Sequence, residues 1–306
     1  MVIDCTRGNR ALVHCALAAT FVLLTSPAFA DQSAAPGRSL YPGGYIGELR
    51  RYVVLQRESL IEIARRFDLG YNEIRDANPG VDPVLPKPGT VVTIPSAWIP
   101  PAVSDRPSIV VNLAELRLFY FPQSNSSAIE SYPIGIGDEG AETPVGNFVI
   151  VEKILDPSWH VPASIRRQRP ELSAVVAPGV RNPLGRHALR LSRQDMLIHG
   201  TNRPWGIGRR SSHGCLRLYP KDIASLFVKA HKGMQVRIID EPVKVGIKEG
   251  RVFIEFHCHG REPVTVGEVL HMLADLGLLQ EIDMGKVIRA YYENKGYPVE
   301  ITWTNR

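Results

Sequence analysis

The stretch "IHGTNRPWGIGRRSSHGCLRLYP", residues 198–220, contains two histidines, one cysteine and four glycines around a Ser-Ser pair. This composition admits a cysteine nucleophile with its base, a metal site, or a glycine-rich turn. A cysteine attacks as the thiolate, and a nearby imidazole or positive charge lowers the pKa of its thiol. His199 follows the apolar "MLI", which is typical of a strand end, and Cys215 lies one loop later. The segment therefore offers both members of a Cys/His pair.

The turn "SHGC", residues 212–215, meets a second requirement of acyl transfer. A tetrahedral intermediate needs backbone N–H donors for its oxyanion, and Gly214 leaves the donors of this turn unobstructed. Gly206 and Gly208 give conformational freedom to the loop between His199 and Ser211. Histidine and cysteine also occur together by chance in many chains, so the spacing alone indicates the chemistry only weakly.

The residues around this stretch are typical of β-strands. "SIVVNLAELRLFYF" alternates apolar and polar residues around a turn near residues 112–115, and "NFVIVEKI" and "MQVRIID" predict further strands. "PKDIASLFVKAHKG" carries a helical apolar stripe that Gly233 closes. We predict a mostly β, β-sandwich-like catalytic domain over residues 107–240.

A small unit precedes this domain, over residues 51–96. "YVVLQ" and "TVVTIP" predict an opening and a closing strand, and "ESLIEIARRF" and "YNEIRDAN" predict two helices between them. The order is β-α-α-β. Residues 97–106 are proline-rich and predict a linker, and residues 31–50 are rich in glycine, proline and small residues, which predicts a flexible tether.

Residues 1–30 are typical of a cleaved secretory signal. Arg7 and Arg10 precede the apolar "ALVHCALAATFVLL", and Ala28 and Ala30 follow as an A-x-A site. The apolar run is shorter than the roughly 20 residues that span a bilayer, so we expect export to the periplasm with no retained membrane anchor. The net charge is +5, but Lys and Arg are scattered, so we expect no nucleic-acid partner.

The last segment, residues 241–306, predicts a small α+β appendage. "EPVKVGIKEGRVFIEFHCHG" is typical of a hairpin that turns at Glu249 and Gly250. "TVGEVLHMLADLGLL" begins with a capping-box pattern of Thr265 and Glu268 and places its leucines on one helical face. The chain is thus predicted to be multidomain, with one catalytic domain between two smaller units.

Several of these motifs together resemble the L,D-transpeptidases, also called the YkuD or ErfK family. "IHGTN", "GIG" and "SSHGCLRL" resemble the histidine to [ST]-H-G-C signature of that family, and "TPVGNF" (143–148) and "NPLG" (182–185) extend the match. The β-α-α-β unit resembles a LysM module, the small carbohydrate-binding domain of cell-wall proteins. "EPVKVG" and "EFHCH" resemble the C-terminal appendage of the periplasmic branch that carries a LysM.

The resemblance implies an acyl transfer on the tetrapeptide stems of peptidoglycan. Cys215 would be the nucleophile, and His199 would be the proton donor and acceptor. A terminal D-alanine would leave, and an amine would then take the diaminopimelate acyl group. This chemistry requires no metal and no organic cofactor.

Other residues of the stretch receive supporting roles from the same resemblance. The structural and oxyanion part of the site would comprise Ser212, His213 and Gly214. Arg217 would bind a substrate carboxylate, since its planar guanidinium can meet a carboxylate in a bidentate manner. We also expect substrate contacts from Gly200 and Trp205, because the loop between His199 and Cys215 would border the substrate. For "TPVG" (143–146), a tight turn before a strand is as plausible as a substrate contact.

The partners follow from the same resemblance. The LysM would bind glycan that contains N-acetylglucosamine, and a structural spacer is the alternative. The acyl acceptor would be the C-terminal lysine of an outer-membrane lipoprotein or a second diaminopimelate, and the appendage favours the lipoprotein. Water as acceptor would make the protein an L,D-carboxypeptidase. A further alternative is a wall-binding protein without catalysis.

Two other uses of the cysteines and histidines remain open from the sequence. Enough zinc-ligand types are present, namely His199, His213, Cys215, His257, Cys258 and His259. Alternation along "RVFIEFHCH" argues against such a site, because it places Cys258 on the apolar strand face and His257 and His259 on the other face. A Cys215–Cys258 disulfide is the second alternative, and it would block the nucleophile.

Overall fold

A computed structural model describes residues 40–103, 107–123, 128–193, 195–259 and 264–303. The predicted signal peptide and residues 31–39 of the predicted tether lie outside the described residues. Among the described residues, none of the helices is both long and apolar enough to cross a bilayer.

The N-terminal unit is a β-α-α-β module, as its pattern predicts. A short strand, β1 (Leu40–Tyr41), precedes the module, whose elements are β2 (Ile46–Val53), α1 (Leu60–Arg66), α2 (Tyr71–Asp76) and β3 (Val91–Trp98). β2 and β3 pair antiparallel along their whole length. Helix α1 begins at a capping box of Ser59 and Glu62, and its apolar face packs on the strands.

The central unit is mostly β. Its strands and helices are β4 (Ile109–Asn112), β5 (Arg117–Tyr120), β6 (Glu130–Pro133), β7 (Ile136–Gly137), β8 (Gly146–Leu155), β9 (Trp159–His160), α3 (Ala163–Gln168), β10 (Val175–Val176), β11 (His187–Leu191), β12 (Leu197–His199), β13 (Arg210–Ser212), β14 (Leu216–Arg217), α4 (Pro220–Lys229) and β15 (Gln235–Ile239). One sheet runs in the order β14-β12-β11-β8-β15-β4-β5-β6.

The core of this unit lies between the sheet and helix α4. Ile223 and Leu226 from the helix pack against apolar side chains of the strands, among them Ile198, Leu216 and Leu218. A helix with a single apolar stripe must bury that stripe against another element, and the sheet face provides it. The predicted mostly β architecture is confirmed.

The C-terminal appendage is α+β. Its elements are β16 (Val243–Lys248), β17 (Arg251–Phe256), α5 (Val266–Asp275), α6 (Met284–Glu293) and β18 (Val299–Glu300). β16 and β17 form the predicted hairpin, with Glu249 and Gly250 both at positive φ in its two-residue turn. The capping box of Thr265 and Glu268 begins helix α5 as predicted.

The end of the predicted tether and the start of the predicted linker are packed against other segments in the structure, where we predicted flexible chain. β1 adds in parallel to β16, and β2 begins at Ile46, so part of the segment predicted as a tether lies in two sheets. In the predicted linker, Ile99 is fully buried and donates its N–H to Glu255. Glycine and proline content indicated flexibility there, but strand pairing overrode it in the tether, and burial of Ile99 overrode it in the linker.

Four buried ionisable side chains join the central unit to the appendage, and we name them the junction cluster: Lys244, Glu115, Glu255 and His257. Lys244 Nζ lies 2.7 Å from Glu115 Oε2 and 3.4 Å from Glu255 Oε1, and it donates to the Ile99 carbonyl. His257 Nε2 lies 2.7 Å from Glu255 Oε1. Burial alone would raise the pKa of Glu255, but the Lys244 ammonium and His257 hold it below its ordinary value.

Candidate active site

Two adjacent strands hold the predicted base and the residues that directly follow the predicted nucleophile. β12 and β14 pair in parallel, with Ile198 opposite Leu216 and His199 opposite Arg217. Side chains alternate along a strand, so Ile198 and Leu216 enter the core, and His199 and Arg217 share the other face. Cys215 directly precedes β14, and the Arg217 charge acts on both Cys215 and His199.

The Cys215 thiol is held in a half-buried position. It is a free cysteine, and its Sγ donates a hydrogen bond to the Asp195 carbonyl at 3.4 Å. Burial raises the pKa of the Cys215 thiol, while a backbone hydrogen bond from Leu197 and the Arg217 guanidinium act in the opposite direction. The resting group is therefore a neutral thiol at neutral pH, and a base must remove its proton.

The His199 imidazole has the properties of such a base. Its side chain is buried, and Nδ1 lies 2.6 Å from the Gly200 carbonyl oxygen. A protonated Nδ1 donating to that carbonyl leaves Nε2 as the proton acceptor. Burial, and secondarily the Arg217 charge, lower the pKa of His199 to about 4, so the ring is neutral at neutral pH. Among the described residues the Cys215 Sγ hydrogen bond goes to Asp195 rather than to His199, and catalytic hydrogen bonds often tighten only with substrate bound.

The turn that carries Cys215 is fixed by two hydroxyl groups. Ser212 Oγ donates to the Cys215 carbonyl at 2.6 Å, and Thr143 Oγ1 donates to the Gly214 carbonyl at 3.1 Å. Thr143 in turn accepts from the Gly137 N–H at 2.9 Å. Gly214 has a φ of +97°, which L side chains rarely adopt. Thr143 and Ser212, both buried, thus hold the backbone of the turn by hydrogen bonds.

Arg217 lies beside both predicted catalytic side chains. One guanidinium nitrogen, Nη1, donates to the Ser211 carbonyl at 2.9 Å, and Nε is buried without a hydrogen-bond partner among the described residues. Burial lowers the pKa of Arg217, with the nearby Arg203 adding to the effect, but the group remains a cation. An unpaired donor beside the thiol can bind an acceptor group of a ligand.

The remaining predicted residues lie in or beside the loop between the strands. Gly200 is buried directly after His199, and His213 is exposed at the turn. Trp205 is 56% exposed in a 3-10 turn, Pro204–Gly206. The structure therefore presents the Trp205 indole to solvent near the thiol-bearing turn, and it leaves the His213 side chain outside the buried part of the site.

Two positions of the site were not predicted from the sequence. The Asp195 carbonyl receives the thiol, and Asp195 itself adopts a left-handed φ of +63°. Gly185 packs on the backbone beside His199, where an added Cβ would lie 3.2 Å from Gly200 Cα. Gly185 is the glycine of the "NPLG" motif, so the sequence offered a sign of its importance. Backbone acceptors such as Asp195 leave no signal in residue type.

The disulfide alternative for Cys215 does not fit this geometry. Cys215 is free, which excludes the Cys215–Cys258 disulfide. The groups of three possible metal ligands among the described residues lie elsewhere, at Asp76, Cys258 and His259 and in the junction cluster. β17 ends at Phe256, so Cys258 is half-buried beyond the strand rather than on its apolar face. The predicted alternation stops where the strand ends.

Comparison with known proteins identifies both main units. The family described as the YkuD L,D-transpeptidase catalytic domain matches residues 106–238, and the LysM domain family matches residues 52–95.

Relatives that match about four fifths of the chain support the same family. The Escherichia coli K12 protein named "Probable L,D-transpeptidase YcfS" is 40% identical over 264 residues, which cover 82% of this chain and 80% of the relative. The Salmonella typhimurium LT2 protein named "Probable L,D-transpeptidase ErfK/SrfK" is 40% identical over 262 residues, covering 80% and 83%.

A solved structure is similar at a lower level. The NMR structure of the catalytic domain from the Enterococcus faecium L,D-transpeptidase has a TM-score of 0.35 at 20% identity and covers 44% of this chain and 98% of that one. The assignment therefore rests on the sequence relatives and on the matched domains. With a LysM domain, a YkuD catalytic domain and relatives at this identity over four fifths of its length, the chain belongs to the L,D-transpeptidase family of enzymes.

Proposed function

We propose that the protein transfers acyl groups on peptidoglycan stem peptides through a thioester at Cys215. The observation that supports this proposal is the parallel pairing of β12 with β14, which sets His199 opposite Arg217, with Cys215 directly before β14. This segment supplies a nucleophile, a neutral base and a fixed positive charge. The three groups correspond to the requirements of acyl transfer to a thiol.

In the first half-reaction Cys215 Sγ attacks the carbonyl carbon between diaminopimelate and the terminal D-alanine. His199 Nε2 accepts the thiol proton as the sulfur–carbon bond forms. Backbone N–H groups of the turn at His213 and Gly214 stabilise the oxyanion, and Ser212 holds that turn in place. The carbon–nitrogen bond then breaks, and His199 gives its proton to the departing amine of D-alanine.

In the second half-reaction an incoming amine attacks the thioester carbonyl. His199 accepts a proton from the amine, the carbon–sulfur bond breaks, and the thiol form of Cys215 is restored. The amine belongs to a lipoprotein lysine or to a second diaminopimelate. Water in place of the amine gives the carboxypeptidase reaction.

Arg217 binds a substrate carboxylate in this proposal, with the unpaired Nε as one donor. The bound carboxylate neutralises the charge that helps to depress the pKa of His199. Substrate binding therefore strengthens the base that the reaction needs. Trp205 and Gly200 border the substrate along the loop.

The proposed substrate also indicates where the enzyme acts and what the LysM module binds. The substrate is a wall polymer, so the enzyme acts in the periplasm after removal of residues 1–30, and the LysM module holds the glycan. No cofactor takes part in the proposed steps, because the thiol and the imidazole carry both proton transfers and the covalent bond.

The test uses purified protein with a muropeptide that carries a tetrapeptide stem. We expect D-alanine release, an increase in protein mass equal to the acyl group at Cys215, and no release by the Cys215→Ala variant. Release by that variant at the wild-type rate would disprove the cysteine mechanism. Adding a lysine-terminated peptide, a second muropeptide or neither, and weighing the products, identifies the acceptor as lysine, diaminopimelate or water.

A further inference from the structure

The loop between His199 and Cys215 rests on the LysM module. The backbone N–H groups of Tyr71 and Asn72, the first residues of helix α2, donate to the carbonyls of Ile207 and Gly208 at 3.1 and 3.3 Å. The first N–H groups of a helix have no partner within the helix. The catalytic domain supplies the missing acceptors, so the loop caps the helix of the other unit.

The contact is closer than side chains allow. Gly208 has a φ of +76°, and an added Cβ would lie 2.3 Å from both Gly70 Cα and Tyr71 N. A Cβ on Gly70 would lie 2.6 Å from Gly208 Cα. Two glycines therefore face each other across the interface, and neither has room for a methyl group.

A side-chain contact fixes the next residue of the loop. The Arg209 guanidinium carbon lies 3.6 Å from the centre of the Tyr71 ring, which is the geometry of a cation–π contact. On its other side the loop joins the catalytic core, since Gly208 N–H donates to Ile134 and Arg209 accepts from Ile136. The loop is thus held between the LysM helix and the segment that connects β6 to β7 and includes β7.

Helix α2 is itself anchored to the catalytic domain by a buried ion pair. Glu73 Oε1 accepts from Arg117 of β5 and from Trp98 Nε1, and the Arg117 guanidinium lies 3.7 Å from the Trp98 ring centre. Arg117 is 1% exposed. Tyr219 adds a hydrogen bond to the Leu69 carbonyl at 3.0 Å. The support beneath the loop is therefore fixed relative to the sheet that carries Cys215.

We infer that the LysM helix α2 positions the substrate loop of the catalytic domain, and that Tyr71 and Gly208 are positioning residues. The inference rests on the proposed function, in which this loop borders the substrate. Trp205 lies two residues before the contact at Ile207, and Ser211 and Ser212 follow it. The module thus contributes to the cleft through the loop, in addition to any glycan that it binds.

The contacts that hold the thiol are separate from those that hold the substrate loop. Cys215 is held by Asp195, and its turn is held by Ser212 and Thr143, none of which touches the LysM in the described contacts. Loss of the support should therefore loosen the loop and weaken binding of the stem peptide. The intrinsic reactivity of the thiol should stay close to its wild-type value.

The experiment compares Tyr71→Ala, Tyr71→Phe and Gly208→Ala in the full-length chain. Tyr71→Ala removes the ring over Arg209, and we expect its KM for the tetrapeptide muropeptide to rise about tenfold with kcat within about twofold of wild type. Tyr71→Phe keeps the ring and should restore the wild-type KM. The rate of Cys215 alkylation by iodoacetamide should be the same in all three proteins.

Gly208→Ala has a matched control. Gly233 has a φ of +88° and open space around its Cβ position, so Gly233→Ala carries the backbone strain without the clash. We expect Gly208→Ala to raise KM and Gly233→Ala to leave it unchanged. Should Gly208→Ala fail to fold, as thermal unfolding would show, the Tyr71 pair still decides the question.

Hydrogen exchange gives a readout that does not depend on the reaction. Amide exchange over residues 204–209 should speed up in Tyr71→Ala and not in Tyr71→Phe. An unchanged KM together with unchanged exchange in Tyr71→Ala would overturn the inference. A change in the rate of Cys215 alkylation as large as the change in KM would also overturn it, because it would show that the whole site had loosened. If wild-type protein released no D-alanine, the proposed function would fail, while the exchange result would still test the loop.

Discussion

The active site and the junction cluster both bury ionisable groups, but they differ in whether those groups have partners. In the junction cluster, Lys244 lies within 4.0 Å of two glutamates and His257 pairs with one of them. At the active site, His199 and Cys215 each contact backbone carbonyls, and Arg217 keeps an unpaired Nε.

This difference in partners separates structure from chemistry. Opposite charges in contact favour the charged forms, and Lys244 and His257 hold the pKa of Glu255 below its ordinary value, whereas burial raises the pKa of Glu115. Burial without a counter-charge favours neutral forms, which keeps the thiol protonated and the imidazole unprotonated at neutral pH. Equal burial therefore produces a domain anchor in one place and a proton-transfer site in the other.

The largest expected effect is on the active-site side of this comparison. His199→Ala removes the base, and D-alanine release should fall by about 10²–10⁴-fold, the usual contribution of a general base. The free energy of unfolding should stay close to its wild-type value, so that the loss of rate is not a loss of folded protein. His231→Ala, a change at an exposed histidine in the turn before β15, is the control and should keep the wild-type rate.

A lack of effect would contradict the role of His199 as the base. If His199→Ala lost no more activity than His231→Ala, the thiol would need another base, and the neutral imidazole would be a structural group like those of the junction cluster.

The second effect is on stability, at the junction cluster. Lys244→Met leaves two buried glutamates without their cation, and removing one partner of a buried ion pair costs about 3–5 kcal/mol. Urea unfolding should show this loss, whereas Lys232→Met at an exposed site should show none. Activity of the folded Lys244→Met fraction should stay near the wild-type level. A stability loss equal to that of Lys232→Met would contradict the anchoring role.

The smallest expected effect is a shift in a pH profile. Because the folded pKa of His199 is about 4, the base form is lost as pH falls through about 4, and kcat/KM should decline on that acidic limb. Burial is the main cause of the low pKa and Arg217 the next. In Arg217→Gln the positive charge is gone, so the limb should move to higher pH.

The profile is measured with a muropeptide at constant ionic strength, and the shift is read separately from the lower kcat/KM of the variant. An acidic limb that stays in place would mean that Arg217 does not act on His199. A limb near the ordinary histidine value in the wild type would contradict the burial of the base.

Local patterns predicted much of the site. The apolar "MLI" predicted that His199 lies at a strand end, and His199 is the last residue of β12. The hairpin turn and the capping box of α5 also rest on neighbouring residues, and both are confirmed. The spans of the two main units follow from periods of two and of 3.6 residues.

Contacts between distant segments could not be predicted in this way. Lys244 and Glu255 alternate with apolar residues on β16 and β17, which predicts exposure, yet both are buried because the appendage packs on the other units. Asp195 acts through its carbonyl, which every residue type possesses. A tether-like composition at residues 40–50 concealed two strands whose partners lie far along the chain.

The facing glycines, Gly70 and Gly208, bear on how such enzymes can diversify. A binding module joined only by a flexible connector can be exchanged for another without altering the enzyme. Here each glycine limits what the other unit can present at the contact, so the two must change together. An engineered swap of the LysM for another carbohydrate-binding module would therefore need a redesigned loop, and duplication of the module would leave only one copy seated against the enzyme.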